Sequence, residues 1–516
     1  MNPLLAPFLA RVGSTPDQPV LVVDGTTIDA ATLHARVRQL ATRLHRAGAR
    51  PGDRIGLWLD NGLDLVAGLL ATQWIGAVGM ALHPQTRAPK LASILARTAA
   101  TVVASDRGLL RSPQGLALQA LHPAARLLAT DEAATLDDND DAPDPVHGGD
   151  DDTLAMIAHT SGSSGEPKGV MLSRRNLAWA CETIADTLGI DASTRIGCAL
   201  PLSFNYGQSH LWMALSRGAL LVLDRGFGFP AVLIERWSAF EVDVAPLVPS
   251  SLALLLANPR FEARTLPSLH QVTTAAASLP PALAQAWQAR FPGKALVPMY
   301  GQTECTRISI ATPDTPTGGV GRGLPGQRHW LEDEAGRPLA IPGHGELVVE
   351  GPHVMLGYWE DPVATAQAVR AGTMPHARVL RTGDRFACDA EGELRYLGRN
   401  DEIIKSGGEK VSPREVEDVL SALPGVAACA VRAEPHPVLG EVVHAWVVPA
   451  AGGTPDVRAW LREAARRLDP IALPKAVHLV DALPLSDRGK VLKRLLAVPA
   501  AATPSLPEST TSPPDR

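Results

Sequence analysis

Cysteine is scarce in this chain: five occur among 516 residues, at positions 181, 198, 305, 388 and 429, an odd number without paired spacing. That argues against a disulfide framework and against zinc, and a reducing, cytoplasmic compartment is the expectation. A basic excess is missing as well. With a formal net charge of −6 the chain carries no electrostatic footprint for nucleic acid or an anionic membrane, whose usual sign is a clustered basic face. No window approaches the roughly 20 apolar residues that a membrane span needs, and there is no short-period repeat. What is present, 45% hydrophobic residues with 44 prolines and 45 glycines, suits a turn-rich α/β enzyme long enough for several domains.

Apolar residues at Leu4, Leu5, Phe8, Leu9 and Val12 have helical spacing rather than the unbroken core of a signal peptide, and predict a short helix docked on the body. Leu33, Val37, Leu40 and Leu44 predict an amphipathic helix over 30–47, stopped by Gly48. Pro51-Gly52-Asp53 then turns the chain into a strand at 55–59, followed by a helical run over 63–74. This alternation recurs through 80–130 and 195–300, which predicts parallel sheets covered by helices. Residues 131–152 hold ten acidic side chains with Pro143 and Pro145, and read as an exposed, mobile connector. A glycine-punctuated β-type region ends near Gly398 and gives way to a compact part mixing strand and helix patterns. From 499 the Ala/Pro/Ser/Thr-rich end reads as a disordered tail.

The densest signal is Thr160-Ser161-Gly162-Ser163-Ser164-Gly165-Glu166-Pro167-Lys168-Gly169, where four hydroxyls, three glycines and a lysine follow the apolar run 154–158, itself readable as a buried strand. Glycines permit positive φ, so successive N–H groups can converge on an anion, while the hydroxyls add donors and Lys168 adds charge. The spacing is not G-x-x-x-x-G-K-[ST], since Glu166 and Pro167 separate Gly165 from Lys168. Pro167 disfavours helix at Glu166, so the loop leaves the phosphates before any helix begins. A flexible Ser/Gly linker is the plain alternative, but such linkers rarely end in Pro-Lys behind an apolar run.

Five further motifs are weak singly. Tyr300-Gly301-Gln302-Thr303-Glu304 presents a hydroxyl and a carboxylate on a tight turn. Arg381-Thr382-Gly383-Asp384 offers an acid able to accept from two ribose hydroxyls, although a solvated turn aspartate is the default. Gly398-Arg399 with Asp401, the run 405–410 and Leu485-Ser486-Asp487-Arg488-Gly489-Lys490 add basic groups on flexible loops.

Taken together and in this order, the motifs resemble the AMP-forming adenylation superfamily of acyl-CoA synthetases, nonribosomal adenylation domains and luciferases. The likeness covers nearly the whole chain and includes Gly345-Glu346-Leu347, Gly351 and Val354-Met355-Leu356-Gly357-Tyr358-Trp359. It implies an α/β fold: a large domain over 1–398 with parallel-type sheets, helices and a β-type subdomain, a hinge at 399–401, and a small mobile α+β domain over 402–498. It implies ATP and Mg²⁺ as cofactors, with CoA or phosphopantetheine as thiol acceptor. Residues 160–169 would hold the pyrophosphate, Thr303 and Glu304 would serve phosphate and Mg²⁺, and Asp384 the ribose. Arg399 would lie near ribose and phosphate, Asp401 would be the hinge, and Lys490 would reach the substrate carboxylate and α-phosphate. Tyr300, Gly301 and Gln302 belong to the nucleotide site. Ala275-Ala276-Ala277 matches the adenine-side segment without its usual glycine, and Gly408 matches the glycine lining the pantetheine tunnel.

The acid is addressed by Phe204-Asn205-Tyr206-Gly207, at the position where the family shapes its acyl pocket. Many acyl-CoA synthetases resemble this with His where Phe204 stands. Amino-acid-activating members commonly carry an Asp hereabouts for the α-ammonium, and Asn205 is neutral. The expected substrate is therefore a small carboxylic acid without an α-amino group, with a tilt towards an aryl acid from a faint likeness to hydroxybenzoate activators. Asn205 as a turn residue bonding the backbone is an equal alternative. CoA and a separate carrier protein remain equivalent acceptors, and an amino-acid ligase or a non-catalytic binding protein on the same fold are the competing readings.

Overall fold

The apolar stripe of Leu33, Val37, Leu40 and Leu44 forms the buried face of the helix Ala30–Arg46. Asp29 caps it by accepting from the Thr32 N–H at 2.7 Å, and Gly48 turns the chain out at φ +98°. The strand Arg54–Trp58 and the helix Leu63–Trp74 follow. The N-terminal helix Ala6–Ser14 buries Phe8, with Leu4 and Leu5 buried just ahead of it. A computed structural model of the protein describes residues 2–132, 143–146, 151–161, 167–400, 402–406, 409–437, 439–451, 455–486 and 491–497.

Among the described residues there are four sheets. A nine-stranded sheet has a parallel interior, running Ala295–Tyr300, Gln271–Thr274, Val244–Leu247, Arg195–Cys198, Leu220–Leu223 and Pro19–Val23, with antiparallel strands at both edges. A seven-stranded sheet is parallel from Leu154–Ser161 through Val78–Leu82, Arg54–Trp58 and Val102–Ser105 to Arg126–Ala129. At its other end lie Pro167–Ser173 and Gly357–Tyr358, both antiparallel. These sheets read as apolar strands between helical runs because both faces are covered by helices. A third, antiparallel sheet contains Gly343–Gly351, Arg378–Cys388 and Leu394–Arg399. One hydrophobic core joins all three: it includes Leu57 and Met156, Ile196 and Leu221, and Leu347 and Phe386. The fourth sheet, from Ile404–Ser406 to Ala476–Leu479, has its own core around Val431, Val443, Ala445 and Trp460.

Two expectations need correction. The acidic connector is not wholly free: the Trp74 indole donates to the Pro143 carbonyl at 2.7 Å, and the Val146 N–H donates to Trp74 O at 2.8 Å. An apolar ring with a donor edge holds this short stretch despite its charged neighbours. The strand expected at 154–158 runs on as Leu154–Ser161, so Thr160 and Ser161 belong to it. Thr160 pairs with Lys168 and Ser161 with Pro167 across an antiparallel ladder, and helix begins only at Arg174. Both ends of the motif, residues 160–161 and 167–169, thus belong to a pair of antiparallel strands.

Candidate active site

The parallel register that sets Thr274 beside Pro298 brings the carboxyl ends of Gln271–Thr274 and Ala295–Tyr300 to one edge, where open parallel sheets take ligands. Tyr300 is the last residue of its strand. Its phenol donates to Asp384 Oδ2 at 2.6 Å, and the Gln302 amide donates to the same oxygen at 2.7 Å and to the Thr382 carbonyl at 2.8 Å. Asp384 comes from the antiparallel strand Arg378–Cys388, directly after Gly383 at φ +70°. The ladder sets Arg399 opposite it, with Nη1 3.3 Å from Oδ1. Asp384 is therefore no solvated turn aspartate: it is 4% exposed and is the junction of three sequence motifs. Burial and the adjacent carboxylate hold the Tyr300 phenol well above its ordinary pKa, so it stays a donor.

Glu304 faces another way. Its carbonyl accepts from the Met355 N–H at 2.8 Å and its Oε1 accepts from the Tyr358 phenol at 2.9 Å. Lys168 Nζ lies 4.9 Å from the centre of the Tyr358 ring. Tyr358 thus links Lys168, at the end of the hydroxyl- and glycine-rich motif, to the Glu304 carboxylate; the sequence offered it only as part of a matching stretch. Burial pushes the Glu304 carboxyl above its ordinary 4.5, while hydrogen bonds and the Arg399 charge oppose the shift. Thr303 sits in the turn between Gln302 and Glu304.

Phe204 precedes the helix Asn205–Arg217 and stacks on His83, with centroids 5.7 Å apart and planes at 6°. Asn205 Nδ2 donates to Thr306 Oγ1 at 3.3 Å, a side-chain partner rather than the backbone bond of a turn residue. The Tyr206 hydroxyl pairs with Thr273 Oγ1 at 2.9 Å, and the Arg307 guanidinium lies 4.8 Å over its ring. Gly207 is needed for closeness: a Cβ there would stand 2.5 Å from the Pro201 carbonyl. Ala276, where the usual glycine is missing, adopts φ +70° all the same. The edge thus gathers Tyr300, Gln302, Glu304, Asp384, Arg399 and Lys168, and beside it Asn205 and Tyr206. Gly162, Ser163, Ser164, Gly165, Asp401, Gly408 and Lys490, and the tail from 499, lie outside the described residues. Sequence reasoning missed Arg307; its signal was a lone charge heading the apolar Ile308-Ser309-Ile310 three residues after Glu304.

A buried acid and a lysine-bearing hairpin at the edge of a parallel sheet, with a second, smaller core after Ile404, are what a nucleotide-using ligase requires. The family model described as AMP-binding enzyme matches residues 8–359, and that of the AMP-binding enzyme C-terminal domain matches 415–490. The chain belongs to the AMP-binding enzyme family. It is 35% identical to a feruloyl-CoA synthase of an Amycolatopsis species, covering 91% of this chain and 93% of that protein. It is 32% identical to an indoleacetate–CoA ligase of Aromatoleum aromaticum, over 90% and 91%. ATP-bound MatB from Rhodopseudomonas palustris superposes with a TM-score of 0.86 at 28% identity, covering 96% of this chain and 97% of that one. The protein is an AMP-forming acid–thiol ligase: it uses ATP and Mg²⁺ to turn a carboxylic acid into an acyl-AMP with release of pyrophosphate, then transfers the acyl group to a pantetheine thiol of CoA or a carrier protein. No helix among the described residues is long and apolar enough to cross a membrane.

Proposed function

We propose that the acid lacks an α-amino group and that an aryl acid is favoured. The observation that carries this is the charge around the acyl segment: Asn205 is neutral, and the ionic group against Tyr206 is the Arg307 guanidinium. Among the described residues an α-ammonium against Tyr206 would meet a buried cation and no carboxylate. The names of two relatives, a feruloyl-CoA synthase and an indoleacetate–CoA ligase, support the aryl tilt.

In this reading residues 160–169 hold the leaving pyrophosphate, with the Thr160, Ser161, Ser163 and Ser164 hydroxyls, the backbone at Gly162 and Gly165, and Lys168 as donors. Asp384 receives the ribose hydroxyls, Arg399 the ribose and phosphate, and Tyr300 to Gln302 with Ala275 to Ala277 flank the adenine. Among the described residues no cluster of three or more His, Cys, Asp or Glu could cage a metal ion. One carboxylate suffices for Mg²⁺, which is held by one or two carboxylates plus substrate phosphates, and Glu304 with Thr303 beside it fits that role. Bound there, the ion would offset phosphate charge. The substrate carboxylate attacks the α-phosphorus, so two anions must approach, and Lys490 compensates the charge that develops. Lys490 must then withdraw for the thiol, which passes Gly408; a large domain over 1–398, a hinge at 399–401 with Asp401 as pivot, and a small domain over 402–498 provide the motion. The cytoplasm is the proposed compartment.

Pyrophosphate exchange over a panel of acids, followed by incubation with CoA and with carrier proteins, tests this reading. Exchange fastest with a proteinogenic amino acid would overturn it. Lys490→Ala is expected to abolish adenylate formation and leave transfer from supplied acyl-AMP largely intact; equal loss of both half-reactions refutes the assigned role.

A further inference from the structure

Arg307 is 3% exposed, and among the described residues it forms no ion pair and no side-chain hydrogen bond, its Nε being buried without a hydrogen-bond partner there. Its contact is the face of Tyr206, 4.8 Å away. A cation over an aromatic ring is worth about 0.5–2 kcal/mol, whereas an unpaired buried ion costs several kcal/mol. The ring does not cover that cost. The other polar groups facing Arg307 are the Tyr206 hydroxyl and the thiols of Cys305 and Cys181, all raised by burial, Cys181 to about 12. All three are neutral at neutral pH. His210, packed edge-on to Tyr206 at 5.3 Å, is pushed down to about 3 by burial and is neutral too. Among the described residues its Nε2 is also without a hydrogen-bond partner.

The backbone explains why this cation points at the acyl segment rather than at the phosphates. After Glu304 the chain folds back, Thr306 adopting φ +60° and the Ile308 N–H returning to the Tyr300 carbonyl at 2.9 Å. Glu304 is left on the side of Tyr358 and Lys168, and Arg307 on the side of the helix Asn205–Arg217.

We propose that Arg307 is a specificity-determining residue that binds a second carboxylate on the acid, so that the substrate is a dicarboxylic acid activated at one end. This rests on the placement of the acid against Asn205 and Tyr206. The reacting carboxylate is a poor counter-ion for Arg307, because it becomes a neutral mixed anhydride carbonyl in the acyl-AMP and would strand the guanidinium. A distal carboxylate keeps its charge through adenylation and thiol transfer alike. Arg is suited to it by its planar pair of donors.

The test is pyrophosphate exchange with matched pairs of aliphatic and aryl acids, each dicarboxylic acid against the monocarboxylic acid bearing a methyl in place of the distal carboxylate. Dicarboxylic acids are expected to be preferred, and R307M is expected to lower the di-to-mono ratio of kcat/KM by about a hundredfold or more, with R307K between. R307M is also expected to melt at the same or a higher temperature than the wild type without substrate, since an apolar side chain replaces an unpaired ion. A wild-type preference for monocarboxylic acids, or an unmoved ratio in R307M, overturns the assignment while leaving the acid–thiol ligase reading intact. Melting of R307M well below the wild type with an unmoved ratio identifies a structural arginine and likewise overturns it. No exchange with any acid would overturn the placement of the acid as well.

Discussion

Tyr300 and Asp384, 84 residues apart, are joined by a 2.6 Å hydrogen bond that ties the carboxyl end of a parallel strand to the middle of an antiparallel one. The contact fixes where the carboxyl edge of the nine-stranded sheet meets the antiparallel layer. Because a hydrogen bond to a charged acceptor is worth about 1.5–3 kcal/mol, Y300F is expected to lower stability by about 1–2 kcal/mol in urea unfolding. D384A should raise the KM for ATP by about tenfold or more, with a smaller effect on the KM for the acid. Equal effects on both KM values would show that Asp384 does not serve the ribose.

Glu304 carries a pH signature. Its folded pKa lies above its ordinary 4.5 because of burial, so between the two values the unfolded chain has lost the proton while the folded protein keeps it. Stability therefore falls as pH rises through that interval and stays lowered above it. E304Q is expected to remove this fall and to melt higher than the wild type at neutral pH without ligands. It should also cost about a hundredfold or more in Mg²⁺-dependent adenylation, read by pyrophosphate exchange. An unchanged pH profile of melting would refute the burial argument.

Tyr358 makes two contacts that separate cleanly. Y358F keeps a ring under Lys168 and loses the donor to Glu304; Y358L loses both. A few-fold drop in exchange for Y358F and a larger one for Y358L, growing at low ATP, is the expected pattern. If both variants behave alike, the ring face contributes nothing to Lys168.

Ala276 occupies a left-handed conformation at φ +70°, which costs an L-residue roughly 1–2 kcal/mol. Glycine gives back part of that gain through its freer unfolded chain. A276G is expected to be more stable by about 0.5–1 kcal/mol, and A276V less stable, in denaturant titrations. A destabilised A276G would mean that the Ala276 methyl packs to more effect than its backbone conformation costs.

Much of the fold was legible because it depends on local chemistry. The stripe from Leu33 to Leu44 has a 3.6-residue period, and the strand at 54–58 and the helix at 63–74 follow from a turn signal and their own patterning. The antiparallel run of Leu154–Ser161 into Pro167–Ser173 was less legible. Its polar second half, Thr160 and Ser161, carries no strand pattern of its own and is extended because Lys168 and Pro167 lie opposite. The stretch 143–146 was misread for a similar reason: acidic composition signals solvation, whereas one long-range bond from Trp74 decides its place.

Residue types and their order, by themselves, determined the reaction: a turn bearing Glu304 and an acid at Asp384 are weak singly, and it is their succession after the hydroxyl- and glycine-rich stretch with Lys168 that carries the resemblance to adenylating enzymes. Tertiary structure alone decided which of these meet. Tyr300, Gln302 and Arg399 converge on one carboxylate because the parallel register brings Tyr300 to the sheet edge while an antiparallel ladder sets Arg399 opposite Asp384. Among the described residues Arg307 is left without an anion because a backbone reversal turns it into the core beside Tyr206. A charge looks solvated in any sequence, and only burial reveals that its partner must come from elsewhere.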